Sequence, residues 1–417
     1  MFDGLRLQIG YWTNTIVATM RKSLLFTFLF VFGCSSAPEP LPQPREITSP
    51  ASPSSGQPNL ATGPDGSVYL SWLETLDTGE SALKIARRAP GGEWTAVGTV
   101  ATGANWFVNY ADFPSVFALA DGTLAAHWSV EGDGIAINIS ISKDGGSTWS
   151  APVVPHRDGT PTEHSMLTMM PAPGGSIGAV WLDGRKAGDP TAPSDEVQLI
   201  YTTIGLDGTL GPEEVLDARI CECCQTAAIQ TAAGLTIAYR DRSETEIREI
   251  ALVRLNDGKW SAPQALSSDG WEIYACPING PSISAAGSNV VAAWFAAPND
   301  KAQINAALST DGGLKFGAPI LIAGGNSLGR VSAIALDNGD AIISWIETAE
   351  DAPDGAQVRL RRIKADGTAE EPVVVSLTSS SSSSGFPRMA RSGSDIVIAW
   401  TDTELGGMVR TAVLTVP

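Results

Sequence analysis

Seven aromatic residues, Trp72, Trp128, Trp181, Tyr239, Trp294, Trp345 and Trp400, each close a short apolar run, at spacings of 51 to 58 residues. The same phrase precedes each one, a small turn and then a largely apolar stretch, as in Asp65-Gly66-Ser67-Val68-Tyr69-Leu70-Ser71-Trp72. A unit of this length made only of strands and turns cannot bury its apolar faces alone, so its copies must stack. The fold expected is all-β, a β-propeller of four-stranded blades, with seven blades predicted and six as the alternative.

One repeat shows the blade. Residues 114–119 alternate as a strand, Asp121-Gly122 turns the chain, 124–128 returns and 135–142 goes out again. After the turn at Asp144-Gly145-Gly146, residues 149–154 form the fourth strand. Such outer turns recur at Gly91-Gly92, Asp207-Gly208, Asp257-Gly258, Asp311-Gly312 and Asp366-Gly367, one fewer than the inner hairpins. The last repeat ends after its third strand, 408–416. Arg45-Glu46-Ile47 through Gly56-Gln57-Pro58 follows the same course as Val373-Val374-Val375 through Gly385-Phe386-Pro387. Residues 44–48 are therefore expected to supply the missing outer strand, close the ring and leave no edge open.

Residues 44–417 read as one propeller domain, and the segment before them reads as an address. Met20-Arg21-Lys22 is basic, Leu24 to Phe32 is apolar, and Gly33-Cys34 follows. This pattern is a secretory signal, too short to span a bilayer permanently. It resembles a bacterial lipoprotein signal with Val31-Phe32-Gly33-Cys34 as the lipobox. The resemblance implies a lipid on Cys34 and, with Ser35 next, an outer-membrane lipoprotein of the bacterial cell envelope, facing the periplasm or the surface. Residues 1–34 are then an upstream extension plus signal peptide, and the Pro/Ser-rich 35–43 a tether. Membrane contact is expected through the lipid only, and the domain is expected to be a monomer. A net charge of −18 argues against nucleic-acid binding.

Ser142-Lys143-Asp144-Gly145-Gly146-Ser147-Thr148-Trp149 matches the pattern S-x-D-x-G-x-T-W, and Ser309-Thr310-Asp311-Gly312-Gly313-Leu314-Lys315-Phe316 is a second copy with Lys and Phe at the last two positions. The first resembles the Asp-box (BNR repeat) of sialidases. That resemblance implies a structural role for Ser142, Asp144, Gly146, Thr148 and Trp149, and for Ser309, Asp311, Gly313 and Phe316: the aspartate ties the turn and the aromatic packs between sheets. Two features depart from sialidases. They have six blades, and their first blade carries an Arg-Ile-Pro motif where this chain has Pro58-Asn59-Leu60-Ala61-Thr62. Cys221-Glu222-Cys223-Cys224-Gln225, Tyr239 to Ser243 and Cys276 to Pro281 are similar to phrases of a group of bacterial proteins labelled sialidase-like, which implies a fold rather than a reaction.

Strand order sorts the loops. Turns after the first and third strands of a blade share one face and are minimal here; loops after the second and fourth share the other and are long. On that face lie 105–112 with Trp106, Asn109 and Asp112, 156–164 with His156, Glu163 and His164, and Asp183-Gly184-Arg185. The cysteine run Cys221 to Cys224, residues 240–248, residues 271–279 and Arg330 lie there as well. Long polar loops on a rigid scaffold are where sites are built. Arg185, Arg240, Arg242 and Arg330 are candidates to bind an anion bidentately, with Trp106, Asn109, Trp271 and Asn279 as further ligand contacts. Asp112, Glu163, Asp183 and Asp241 are candidate acid–base carboxylates. The competing reading pairs Arg240, Arg242 and Arg248 with Asp241, Glu244, Glu246 and Glu249 in a structural network. Tyr239 shares the register of the tryptophans and reads as core.

Cys221, Cys223, Cys224 and Cys276 fall in two consecutive interblade loops. In an exported chain an even number favours two disulfides, with Cys276 the expected partner of Cys223 or Cys224. Copper or zinc on these thiolates, joined by His156 and His164, is the alternative, and a redox-active Cys221–Cys224 pair a third; no cofactor is assigned. The expectation is a lipid-anchored, sialidase-like propeller whose loop-rich face binds an anionic glycan, acting as an exo-glycosidase if catalytic. A metal-handling propeller and a protein-interaction scaffold are the alternatives.

Overall fold

The computed structural model describes residues 40–187, 196–349, 354–403 and 406–416; the signal segment and Cys34 lie outside them. Seven antiparallel sheets form a ring, a seven-bladed β-propeller. In the first blade Ser55–Thr62, Val68–Thr75, Ser81–Arg88 and Trp94–Gly103 pair in order. Each sheet is sandwiched between two others, so its second strand is buried on both sides and reads as a nearly continuous apolar run. Ile177–Asp183 is buried along its whole length. The seven repeat aromatics lie in the second half of these strands and all are buried. Apolar clusters fill the gaps between neighbours: Tyr69, Leu83, Val116 and Leu124 join blades one and two, and Val68, Val397 and Val413 join blade seven back to blade one.

Arg45–Ile47 pairs with Met408–Thr415, with Arg45 opposite Val413 and Ile47 opposite Thr411. This is the closing strand expected from the sequence. The boundary before it differs from the expectation. Leu41, placed in the tether, is buried against Leu336, Leu360, Ile396 and Leu414, so the compact unit begins at Pro40 rather than at 44. Truncation up to residue 39 is expected to leave the melting temperature unchanged. Truncation up to residue 48 removes the buried Leu41 and Ile47 and opens an edge. At about 2 kcal/mol per buried side chain, the loss is about 4 kcal/mol, readable in thermal melts of the two truncations.

Two outer strands are less regular than the pattern suggests. In blade two the fourth strand is reduced to a bridge between Val153 and Ile139. In blade four it splits into Lys259–Trp260 and Gln264–Ala265, both on Ile250–Asn256. Pro152 and Pro263 precede these strands as Pro212, Pro319 and Pro372 precede the regular fourth strands of blades three, five and six, so proline alone does not explain the difference.

The Asp-box turns are built from side chains. Asp144 accepts from the Thr148 amide at 2.9 Å, the Thr148 hydroxyl at 2.6 Å and the Ser142 hydroxyl at 2.8 Å. These bonds, led by that from the Thr148 side chain, hold its pKa down at about 2. Ser142 in turn accepts from the Gly146 amide, and the Trp149 indole donates to Gly146 O. Gly146 sits at φ +96°, and a Cβ there would meet Val97 at 2.7 Å, so the position admits glycine only. Ser309, Asp311 and Gly313 repeat the arrangement, with the Lys315 amide in place of that of Thr148, and Phe316 packs on the core.

Candidate functional site

The loop-rich face carries a cavity of about 650 Å3. Phe107, Asn109 and Ala111 come from the loop between blades one and two, Glu163 from the next loop, and Met166 from the strand His164–Pro171 that follows it. Glu222, Cys223, Arg242, Cys276 and Ile278 close the other side. The sequence-predicted Asn109, Glu163 and Arg242 therefore meet here, as do two of the cysteines.

Asp112 lies beneath this cavity, on the wall of the central channel, where Ala111 and Met166 line both spaces. Its carboxyl is buried. One oxygen accepts the Met166 amide at 3.0 Å, the other the Ser129 hydroxyl at 3.4 Å. Burial raises its pKa to about 7, and the nearby charge of Glu163 adds to the rise. Met166 holds φ +56°, a left-handed conformation that costs a non-glycine residue on the order of 1–3 kcal/mol. The strained residue delivers the amide that Asp112 accepts. The arrangement gives one carboxyl protonated near neutrality and a second carboxylate beside a cavity, a pairing suited to acid–base chemistry.

The other two carboxylates stand elsewhere. Asp183 is fully buried, gripped by Arg185 at 2.7 Å on each oxygen and by the Trp181 indole at 2.8 Å. Asp241 lines a separate outer cavity of about 630 Å3 with Asp217, Arg219 and Glu244. Burial, then the charge of Asp217, raises its pKa to about 6. Tyr239 is core, as expected, and its hydroxyl donates to Asp217 at 2.6 Å.

The four arginines expected to receive an anion are instead engaged by the protein. Arg240 is 1% exposed and donates to the carbonyls of Asn279, Arg248 and Phe295 at 3.0, 2.7 and 2.6 Å. Arg330 donates to the carbonyls of Ser381 and Gly385. Arg185 adds Glu213 at 2.8 Å to its bidentate contact with Asp183. Arg242 bonds both oxygens of Glu246, and Arg248 bridges Glu246 and Glu222. The structural network weighed in the sequence therefore forms through Glu246 and Glu222. Glu249 instead accepts from the Asp269 and Gly270 amides. Trp106 stacks on Trp128 at 5.6 Å, and Trp271 packs edge-on to Phe295 beneath Arg240. Asn279 is buried, its side-chain oxygen accepting the Arg330 amide at 2.7 Å. These three contacts face the protein rather than a ligand.

The cysteines and histidines do not converge. Cys221 and Cys224 lie 5.8 Å apart at Cα, and Cys223 and Cys276 lie 6.1 Å apart, both within disulfide reach. His156 and His164 stack on each other at 3.7 Å in a separate group with Asp158. The Ile137 amide donates to His156 Nε2 at 3.3 Å. That bond leaves the ring proton of the neutral imidazole on Nδ1. His164 faces acceptors on both nitrogens, Ile135 O at 3.2 Å and Asp158 at 3.0 Å. A single Cys/His metal centre is thus not what the loops build, whereas Cys221, Cys223 and Cys224 do bring their sulfurs within 4.8 Å of one another.

One residue on the axis has no counterpart in the sequence reading. Arg388 begins the first strand of blade seven, Arg388–Ser392, and lines the channel, a space of about 270 Å3 walled by the first strands. The sequence does not single it out, since Arg391 on the same strand bonds Gly393 O and Asp337 instead.

No family model matches the chain, and no curated protein does. Among solved structures, a protein of unknown function from Dyadobacter fermentans is 16% identical, covering 90% of this chain and 99% of that one, with a TM-score of 0.49. The NanB sialidase of Streptococcus pneumoniae is 9% identical over 90% of this chain and 94% of its own, TM-score 0.47. The GH93 α-L-arabinofuranosidase of Fusarium graminearum is 16% identical over 75% and 95%, TM-score 0.49. At such identities no residue-level role transfers between chains.

Proposed function

We propose that the cavity on the loop-rich face is a carbohydrate site and that Asp112 and Glu163 cleave a glycosidic bond there. The observation that carries this reading is the buried Asp112 carboxyl, raised to about 7 on the channel wall next to Ala111 and Met166, which also line the cavity that holds Glu163. Glycoside hydrolysis needs a carboxylic acid to protonate the leaving oxygen and a second carboxylate to act on the other side of the anomeric carbon. Asp112 takes the first role and Glu163 the second. Phe107 and the apolar side chains of Met166 and Ile278 offer surface for a sugar's C–H face, and Asn109 an amide for its hydroxyls.

A neutral ligand is proposed here in place of the anionic one expected of the loop arginines. Glu163 and Glu222 stand on the wall, and Arg242 is held by Glu246, so the cavity suits a neutral sugar better than an acidic one. Export, the envelope location and the lipid on Cys34 belong to the same proposal, because such an enzyme meets glycans outside the cytosol. The test is hydrolysis of a panel of neutral and acidic aryl glycosides and oligosaccharides, with glycan-array binding in parallel. Turnover of a neutral glycoside is expected, and Glu163→Gln lowers kcat about 100-fold or more with the fold intact. Binding without turnover would make the protein a lectin-like module, and neither binding nor turnover would remove the carbohydrate reading.

A further inference from the structure

We infer that the central channel is an anion site, in which Arg388 and the Asn59 amide hold a small inorganic anion. Arg388 Nε donates to Asn59 Oδ1 at 3.1 Å, and its guanidinium lies 5.0 Å over the Phe113 ring. Among the described residues no carboxylate pairs with it. The contrast with the fully buried arginines is sharp: Arg88 has Asp395, Arg248 has two glutamates, Arg362 has Glu370, and Arg240 has three carbonyls. A guanidinium carries five N–H donors, and here one meets a protein acceptor.

The walls supply no substitute. Thr168 donates to Thr226 O, Thr226 donates to Thr168, and Ser282 accepts the Ala333 amide. Gln225 is engaged at both ends, by Ala111 O and the Gly280 amide. Asp112, a carboxyl on the same wall, is not among the groups acting on Arg388, whose pKa falls to about 10 through burial alone. The guanidinium is half-buried, with part of its surface turned to the channel, which has room for its counter-ion. Arg388 also lines a second space of about 670 Å3, walled by the inner strands and rimmed by Gly66, Asp337 and Gly393 of the short turns. An anion can therefore enter from the face opposite the carbohydrate cavity.

The experiment uses the full chain in thermal melts at fixed ionic strength, replacing a bulky sulfonate buffer anion by chloride, phosphate or sulfate. The expected result is a saturable rise in melting temperature with at least one of the three, as for a ligand bound by the folded state alone, and no saturable rise in Arg388→Gln. Melting that follows ionic strength only, or an equal anion response in Arg388→Gln, overturns the site. Should Arg388→Gln fail to fold, bromide-soaked crystals of the wild type decide. Anomalous density within hydrogen-bond distance of the guanidinium supports the site, and a channel without it overturns it.

Discussion

Asp112→Asn is expected to melt higher than the wild type at pH 8 and to be inactive. Burial lifts the Asp112 pKa from 3.8 to about 7, so between pH 4 and 7 the folded state binds a proton that the unfolded state has lost. Stability from this group therefore falls as pH rises through that window, and the deficit is complete above 7. Three pK units correspond to about 4 kcal/mol as an upper figure. Asparagine keeps the acceptor for the Met166 amide and offers Ser129 a donor, without a charge to bury. The variant should match the wild type near pH 4 and exceed it by up to about 4 kcal/mol at pH 8, measured by urea unfolding. It also lacks the proton donor, a loss of about 100- to 10,000-fold in kcat. Stability gained where activity is lost marks a functional residue. A variant less stable at pH 8 would mean that Asp112 is an ionised structural carboxylate.

The second large effect is structural. Arg240→Ala removes the donor to three buried carbonyls, those of Asn279, Arg248 and Phe295, and the plane stacked on Trp271. An unsatisfied buried polar group costs about 1–3 kcal/mol, so the expected loss is about 3 kcal/mol or more, a large part of what usually holds a domain together. Arg240→Met restores apolar volume but none of the hydrogen bonds, and should fall between the two. Urea midpoints of the three proteins give the order. An Arg240→Ala protein that unfolds like the wild type but loses a ligand would return the guanidinium to the site.

The propeller was legible because its signals are local and repeated. A buried aromatic in the second half of each second strand and a tight turn after each first strand recur at every blade, and the closing strand could be found by matching Gly56-Gln57-Pro58 to Gly385-Phe386-Pro387. Leu41 escaped because one leucine among prolines carries no periodicity. The face that carries the cavity was legible from loop length, since the longest connections, such as 104–114 and 266–281, lie there. The roles of its residues were not. Whether a guanidinium is free depends on which carbonyls surround it, and nothing in Arg240-Asp241-Arg242 says that the first reaches across to blade five while the second stays with Glu246. Likewise Asp112 and Asp183 look alike in sequence. Burial without a cation raises the first, and Arg185 grips the second.

The central claim concerns Asp112 as the acid of a carbohydrate site, and the pH dependence of turnover tests it most directly. For a neutral glycoside cleaved by the wild type, kcat/KM should fall as pH rises through about 7, where the Asp112 carboxyl loses its proton, and Asp112→Asn should abolish that limb along with most of the rate. An alkaline limb that survives unchanged in Asp112→Asn, or no turnover of any glycoside at any pH, would contradict it.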